Sequence, residues 1–117
     1  MNQNNSNIIS FNENTGSGGP SAINYLDVKK AAAILRAINH KLRQSIIKLL
    51  EEKPAMTVTE IYVKLRVEQS VASQHLAILR RAEFVKTSRD GKNIHYALNM
   101  KRLAEVNTFV KQLLSDE

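Results

Sequence analysis

The 117-residue chain contains no cysteine. That removes disulfides, thiolate metal sites and thiol-based redox sensing together. It also lacks any apolar run near the ~18 residues that a membrane span requires, and its N-terminus has no apolar signal-peptide core. The expectation is a soluble, cytoplasmic protein with no membrane partner. No glycine-rich loop could cradle a phosphate, and no nucleophile, base and orienting group fall at converging spacings. Ser70, Ser73 and His75 come nearest to such a set. Neighbours at i and i+2 on a helix point apart, however, so Ser73 and His75 do not meet. An enzyme is the reading these absences disfavour most, and they imply no cofactor.

What the chain does have is positive charge. It carries 17 Lys and Arg against 11 Asp and Glu, a net +6. Only one of the acidic residues, Glu13, lies in the first 21 positions, so 17 basic groups face 10 acidic ones over the rest. A small basic domain points to nucleic acid or another anionic surface as partner. Residues 1–21 are dominated by Asn, Ser and Gly and end near Pro20. They hold too little apolar area to offset their ordering entropy, so a disordered tail is expected there, with IISF (8–11) as its one apolar patch. Residues 22–117 are expected to form one domain.

Within that domain the periodicity is helical from about Asn24. Val28, Ala31, Ala32, Leu35 and Ile38 follow three-four spacing. Asn39 and His40 interrupt the stripe, and Leu42, Ile46, Leu49 and Leu50 begin a second helix that stops at Pro54. Thr57 and Glu60 fit a capping box that opens a third helix, running to about Leu65 with Ile61 and Leu65 inward. Only Arg66, Val67 and Glu68 separate it from a fourth. Two short helices joined so tightly cross steeply, as in a helix-turn-helix. FVKTS and NIHYALN then flank RDGK, where Asp90-Gly91 signals a hairpin. Asn99 can cap a last helix through about Ser115, along which Leu103, Val106, Val110 and Leu113 form an apolar seam.

The fourth helix carries the function. At about 100° per residue, Ser70, Ser73, Gln74, Ala77 and Arg81 share one side, while Ala72, Leu76 and Leu79 lie on the other. A helix entering the major groove needs short side chains so that its backbone can approach, with amides and hydroxyls to meet base edges and phosphates. Gln69 and Ser70 fall in the first turn, where free N–H groups favour a phosphate. Arg89 and Lys92 sit at the basic hairpin tip, able to reach backbone or minor groove. The fold class is therefore mainly α (α+β): a winged helix-turn-helix of about five helices and a two-stranded hairpin wing.

Residues 35–98 resemble the ArsR/SmtB family of winged-helix repressors. LRAINHKLRQSIIKLL looks like the family's second-helix signature, QSVASQHLAILRRAEFV resembles its recognition helix running into the wing, and GKNIHYAL is similar to the returning wing strand. The resemblance implies a homodimeric transcriptional repressor of double-stranded DNA, with the first and last helices forming the dimer interface. It places Gln69, Ser70, Ser73 and Gln74 at DNA-reading positions, and puts Leu35 and the last-helix seam in the interface. His75 matches the second of a histidine pair often seen there. Three residues depart from the family pattern: Arg66 stands where a turn glycine is usual, Glu83 where a glycine leads into the wing, and Lys41 where proline is frequent.

Many members of that family sense metals, but this chain lacks the ligands. Thr57, Val58 and Thr59 occupy the places of a C-V-C pattern, and threonine hydroxyls are poor ligands for soft metals. MKRLAEVNTFVKQLLSDE contains no histidine, where other members place Asp, His and Glu. His40, His75 and His95 have no i,i+4 spacing; His75, on the apolar flank, is expected to be packed and hydrogen-bonded. The sequence reading is thus a DNA-binding repressor without a metal site, with room left for a small-molecule inducer of unknown identity. The competing reading is a winged-helix protein-interaction module without DNA binding, favoured by Glu68, Glu83 and Asp90 near the reading surface.

Overall fold

A computed structural model describes residues 22–115. The Asn/Ser/Gly-rich stretch 1–21, with Pro20 and IISF, lies outside the described residues. The described residues divide into two units, 22–36 and 37–115.

Helix α1 (Tyr25–Ile38) starts in the first unit, where Asn24 Oδ1 accepts the Asp27 N–H at 3.1 Å. That bond satisfies one of the free donors of the first turn, and Asp27 sets negative charge against the positive end of the helix dipole. Ala31, Ala32 and Leu35 are half-buried, as the stripe predicts, but Val28 is exposed along with Ile23, Tyr25 and Leu26.

In the second unit, the carbonyls that end α1 have no helical partner of their own. Arg43 Nε donates to the Ala37 carbonyl and Gln44 Nε2 to that of Ile38 at 2.9 Å, satisfying acceptors that every helix end leaves free. Both donors stand on α2 (Lys41–Glu52), which buries Ile46, Ile47, Leu49 and Leu50. Its N-cap is His40, whose Nδ1 accepts the Leu42 N–H at 3.1 Å. Helix α3 (Val58–Leu65) opens on the expected capping box, with Thr57 Oγ1 accepting from Glu60 N–H at 3.2 Å and Glu60 Oε1 from Thr57 N–H at 2.9 Å. Helix α4 (Gln69–Arg81), the strands flanking the hairpin turn, and α5 (Met100–Leu113) follow in the expected order.

One strand was not legible in the sequence. Met56–Thr57 forms β1, which pairs antiparallel with β3 (Asn93–Leu98) through Met56 with Tyr96 and Thr57 with His95. The wing is therefore a three-stranded sheet ordered β1-β3-β2, with β2 spanning Val85–Asp90. A two-residue strand offers no alternation to read, yet it anchors the wing to the start of α3. The core sits beneath α4: Ile46, Ile61, Leu76, Leu79 and Phe84 are fully buried, one or two from each of α2, α3, α4 and the entry to β2.

Candidate nucleic-acid interface

Helix α4 is delimited at both ends by left-handed corners. Before it, Arg66 adopts φ 60° and ψ 44°, while the Val67 N–H bonds to the Tyr62 carbonyl at 3.1 Å and the Arg66 N–H to that of Val63 at 3.3 Å. After it, Glu83 has φ 68°, the Phe84 N–H bonds to the Leu79 carbonyl at 2.9 Å and the Glu83 N–H to that of Arg80 at 2.9 Å. Both are Schellman motifs, in which a left-handed residue lets two N–H groups satisfy the last helical carbonyls. Glycine usually fills such a position because it meets no Cβ strain. Here Arg66 and Glu83 take the geometry regardless, so the two departures from the family pattern leave the turn and the wing entry intact.

Between these corners the helix separates its faces as its sequence predicts. Ala72, Leu76 and Leu79 are 0% exposed. Full burial of a leucine contributes about 1.5–3 kcal/mol, so the apolar side fixes which way the other side looks. Gln69, Ser70, Ser73, Gln74, Ala77 and Arg81 are all exposed. The wing brings Arg89, at the end of β2, and Lys92, in the turn, both exposed. Asp90 pairs with Asn93, leaving Gly91 and Lys92 as a two-residue turn. Gly91 has φ +65°, which a tight hairpin requires at its first turn position. Three carboxylates, Glu68, Glu83 and Asp90, are exposed on the same elements.

Two clusters behind this surface went unread in the sequence. Arg43 Nη1 lies 3.0 Å from His75 Nδ1, and the His40 and His75 ring centroids are 4.6 Å apart at 45°. His75 is thus the packed, hydrogen-bonded residue expected, with its partner on α2. Its pKa is held below the usual imidazole value, first by burial and then by the charges of His40 and Arg43. The second cluster centres on Arg102, mostly buried at the start of α5. Its Nε donates to the Ala82 carbonyl at 3.0 Å, and its other nitrogens lie 3.9 Å from Glu83 and 3.7 Å from Glu105. Apart from the i,i+3 pair of Arg102 with Glu105, no local sequence spacing signals these contacts, because Arg43 with His75 and Arg102 with Ala82 are brought together only by the fold.

The seam of α5 divides. Leu103, Val106 and Val110 are half-buried and, with Ile38, Ile47 and Met100, line a groove of about 510 Å³ between α2 and α5. Leu113 is 66% exposed, beside exposed Met100, Phe109 and Leu114. At the positions of the family's cysteine pattern, the Thr57 hydroxyl is occupied by its capping bond. Among the described residues, no three His, Asp or Glu side chains gather as a bound metal would need.

A closely joined, packed helix pair with a bare, exposed second helix and a basic hairpin beside it defines a winged helix-turn-helix DNA-binding regulator. Residues 40–87 match the family described as "Bacterial regulatory protein, arsR family". The chain is 34% identical over 77 residues to the transcriptional repressor PagR of Bacillus anthracis, spanning 66% of this chain and 77% of that protein. It is 35% identical over 85 residues to an uncharacterized HTH-type transcriptional regulator of Methanocaldococcus jannaschii, spanning 73% of this chain and 96% of the other. Among solved structures, that of PagR aligns with a TM-score of 0.60 at 29% identity, covering 74% of this chain and 98% of PagR. HlyU from Vibrio cholerae aligns at 0.59 and 28% identity, covering 75% and 95%. The chain belongs to the ArsR family of winged helix-turn-helix transcription regulators.

Proposed function

We propose that the chain is a homodimeric repressor that reads an inverted repeat in double-stranded DNA, acting in the cytoplasm, with residues 22–117 as the DNA-binding domain. The observation that carries this reading is the fourth helix: its leucines are sealed in the core and its short, hydrogen-bonding side chains are open to solvent. Gln69, Ser70, Ser73 and Gln74 would meet base edges and phosphates from the first two turns, and Arg81 the phosphates near the last. Arg89 and Lys92 would grip the flanking backbone from the wing. Leu35 on α1, with Leu103, Val106, Val110 and Leu113 on α5, would form the dimer interface. Two reading helices would then face half-sites about one helical turn apart, or a multiple of it. The inducer, if there is one, would be a small molecule rather than a thiophilic metal or an oxidant.

The relatives support a regulator but carry both signs of control. PagR is named a repressor, whereas HlyU of Vibrio cholerae is named an activator. Repression is preferred here because a dimer lying across two successive grooves occludes promoter DNA with no further contact. The test is DNA selection from random duplexes followed by affinity measurement on the winner. Gln74→Ala is expected to lower preference for the selected site over random DNA. Lys92→Ala should weaken both alike and reduce the salt slope by about one. Unchanged binding in both variants overturns this docking.

Exposed Glu68, Glu83 and Asp90 favour a second reading, a protein-interaction module. Absence of any gel shift at moderate salt, with every fragment including the gene's own upstream region, would select it.

A further inference from the structure

We propose that His75 is a positioning residue, holding the recognition helix in its reading pose through Arg43 only while its ring is neutral, so that acid releases the DNA. The inference rests on the DNA-binding reading above. A guanidinium can only donate hydrogen bonds, so the nitrogen 3.0 Å from Arg43 Nη1, His75 Nδ1, must carry a lone pair. The backbone N–H of Leu42 likewise requires a lone pair on His40 Nδ1. Both rings are therefore employed as acceptors at Nδ1, and a proton on either nitrogen abolishes the bond it accepts.

The two acceptors are also neighbours, with centroids 4.6 Å apart. A proton on His75 would set an imidazolium beside a guanidinium that is itself tied to the end of α1 through the Ala37 carbonyl. The charges acting on the His75 ring are those of His40 and Arg43. Lys41, Lys48, Glu51 and Glu52 of α2, Glu60 and Lys64 of α3, Lys86, Arg89 and Asp90 of β2, and Arg80 and Arg81 of α4 itself are not among them. Among the described residues, no carboxylate is one of the charges that act on the ring. Along α4, the residues three and four positions from His75 are Val71, Ala72, Ile78 and Leu79, all apolar.

The position of His75 makes the consequence functional. The two residues before it, Ser73 and Gln74, look outward from the reading face, and Leu76 after it looks into the core. Losing the Arg43 bond and gaining repulsion would loosen α2 from α4 along the side that sets the height of that face. The direction runs against simple charge: added protons make a DNA-binding protein more positive and should tighten phosphate contacts. Acid weakening would therefore report the cluster and not net charge.

The experiment is fluorescence anisotropy on the selected duplex, at fixed ionic strength, from about pH 8 down to about pH 5.5. Wild type is expected to lose affinity several-fold across that range, up to about tenfold, since His75 protonates below the usual imidazole value. His75→Gln keeps an acceptor oxygen for Arg43, and His40→Asn keeps a capping oxygen for Leu42; neither titrates. The double variant should bind like wild type at the alkaline end and show a flat profile, while His95→Gln should keep the acid loss. An undiminished acid loss in the double variant, or a flat wild-type profile, overturns the inference. If the double variant does not fold, imidazole NMR titration of wild type decides. His75 must protonate at the pH where binding falls, and a mismatch overturns the inference. Wild type that binds no duplex even at about pH 8 sinks the DNA-binding reading itself; binding there with a flat profile sinks this inference alone.

Discussion

Replacing Arg66 with glycine should stabilise the protein, although it removes a long side chain and a charge. Arg66 sits at φ 60° and ψ 44°, a left-handed conformation that costs a residue with a Cβ about 1–2 kcal/mol. Its side chain is exposed, and the two hydrogen bonds that close the corner come from backbone N–H groups. Glycine would relieve the strain and leave those bonds in place. Against that, glycine adds freedom to the unfolded chain worth roughly 0.4–1 kcal/mol. The expected balance is a gain of about 0.5–1 kcal/mol, or a rise in melting temperature of roughly 2–8 °C for a domain of this size. Thermal and urea denaturation at one protein concentration would read it. Arg66→Lys, which changes the head group and retains the Cβ, should be neutral, whereas Arg66→Val should lose about 1 kcal/mol more, because branching at Cβ is least tolerated at positive φ. A glycine variant less stable than wild type, or a neutral valine variant, would refute the claim that strain is stored at this corner.

Thr57→Ala removes the hydroxyl half of the α3 capping box and should cost about 1 kcal/mol by urea denaturation, with Thr57→Ser close to wild type. The same box holds the Glu60 carboxyl below its usual range, chiefly through the Thr57 N–H and next through Lys53. A depressed carboxylate pKa stabilises the fold above the unfolded value and ceases to do so as pH falls through the folded one. The Glu60→Gln deficit should accordingly shrink in acid, whereas the Thr57→Ala deficit, which spares the Thr57 N–H, should stay nearly constant; a Glu60→Gln deficit unchanged with pH would contradict the assignment. Leu76→Ala should cost about 2–5 kcal/mol, while Ala77→Ser, one residue on, should stay within about 0.5 kcal/mol. Equal effects would mean that the two faces are not segregated. Leu113→Asp should leave the melting profile of the fold intact and convert a dimer to a monomer by analytical ultracentrifugation, weakening the inverted-repeat complex more than a half-site complex; an unchanged mass would move the interface elsewhere.

The elements of this fold were largely legible because each has a local cause. The α3 start was written in Thr57 and Glu60, the α5 start in Asn99, whose Oδ1 accepts the Arg102 N–H at 3.3 Å, and the hairpin in Asp90-Gly91. The division of α4 into buried and bare sides follows from helical periodicity alone. What escaped has no such local cause. Strand β1 exists because Tyr96 and His95 lie opposite Met56 and Thr57. His40 is a poor match to the usual capping Ser, Thr, Asp or Asn, so its place at a helix start was legible but its capping role was not. Val28 fell on the predicted apolar stripe yet is 51% exposed, since periodicity finds a face but not what covers it. Arg43 with His75 spans 32 positions and Arg102 with Ala82 spans 20. Only a folded chain brings such pairs together.

The recognition helix is held by everything except the residues that would read DNA. Its entry and exit are fixed by backbone corners at Arg66 and Glu83, and its underside by Ala72, Leu76 and Leu79. The far corner is braced from α5: Arg102 binds the Ala82 carbonyl, and the Asn99 N–H binds that of Phe84 at 2.9 Å. Side chains at 69, 70, 73, 74 and 77 take no part in any of this. They can change with the DNA sequence to be read without disturbing the frame, because surface substitutions away from caps and core shift stability little. His75 is the exception on the helix, a polar side chain spent on holding it and not on contacting a ligand. A frame that depends on one neutral imidazole inherits that ring's sensitivity to protons. The separation of frame from reading face therefore also explains why acid should act on all operators alike, whereas Gln74→Ala should act on one sequence more than another.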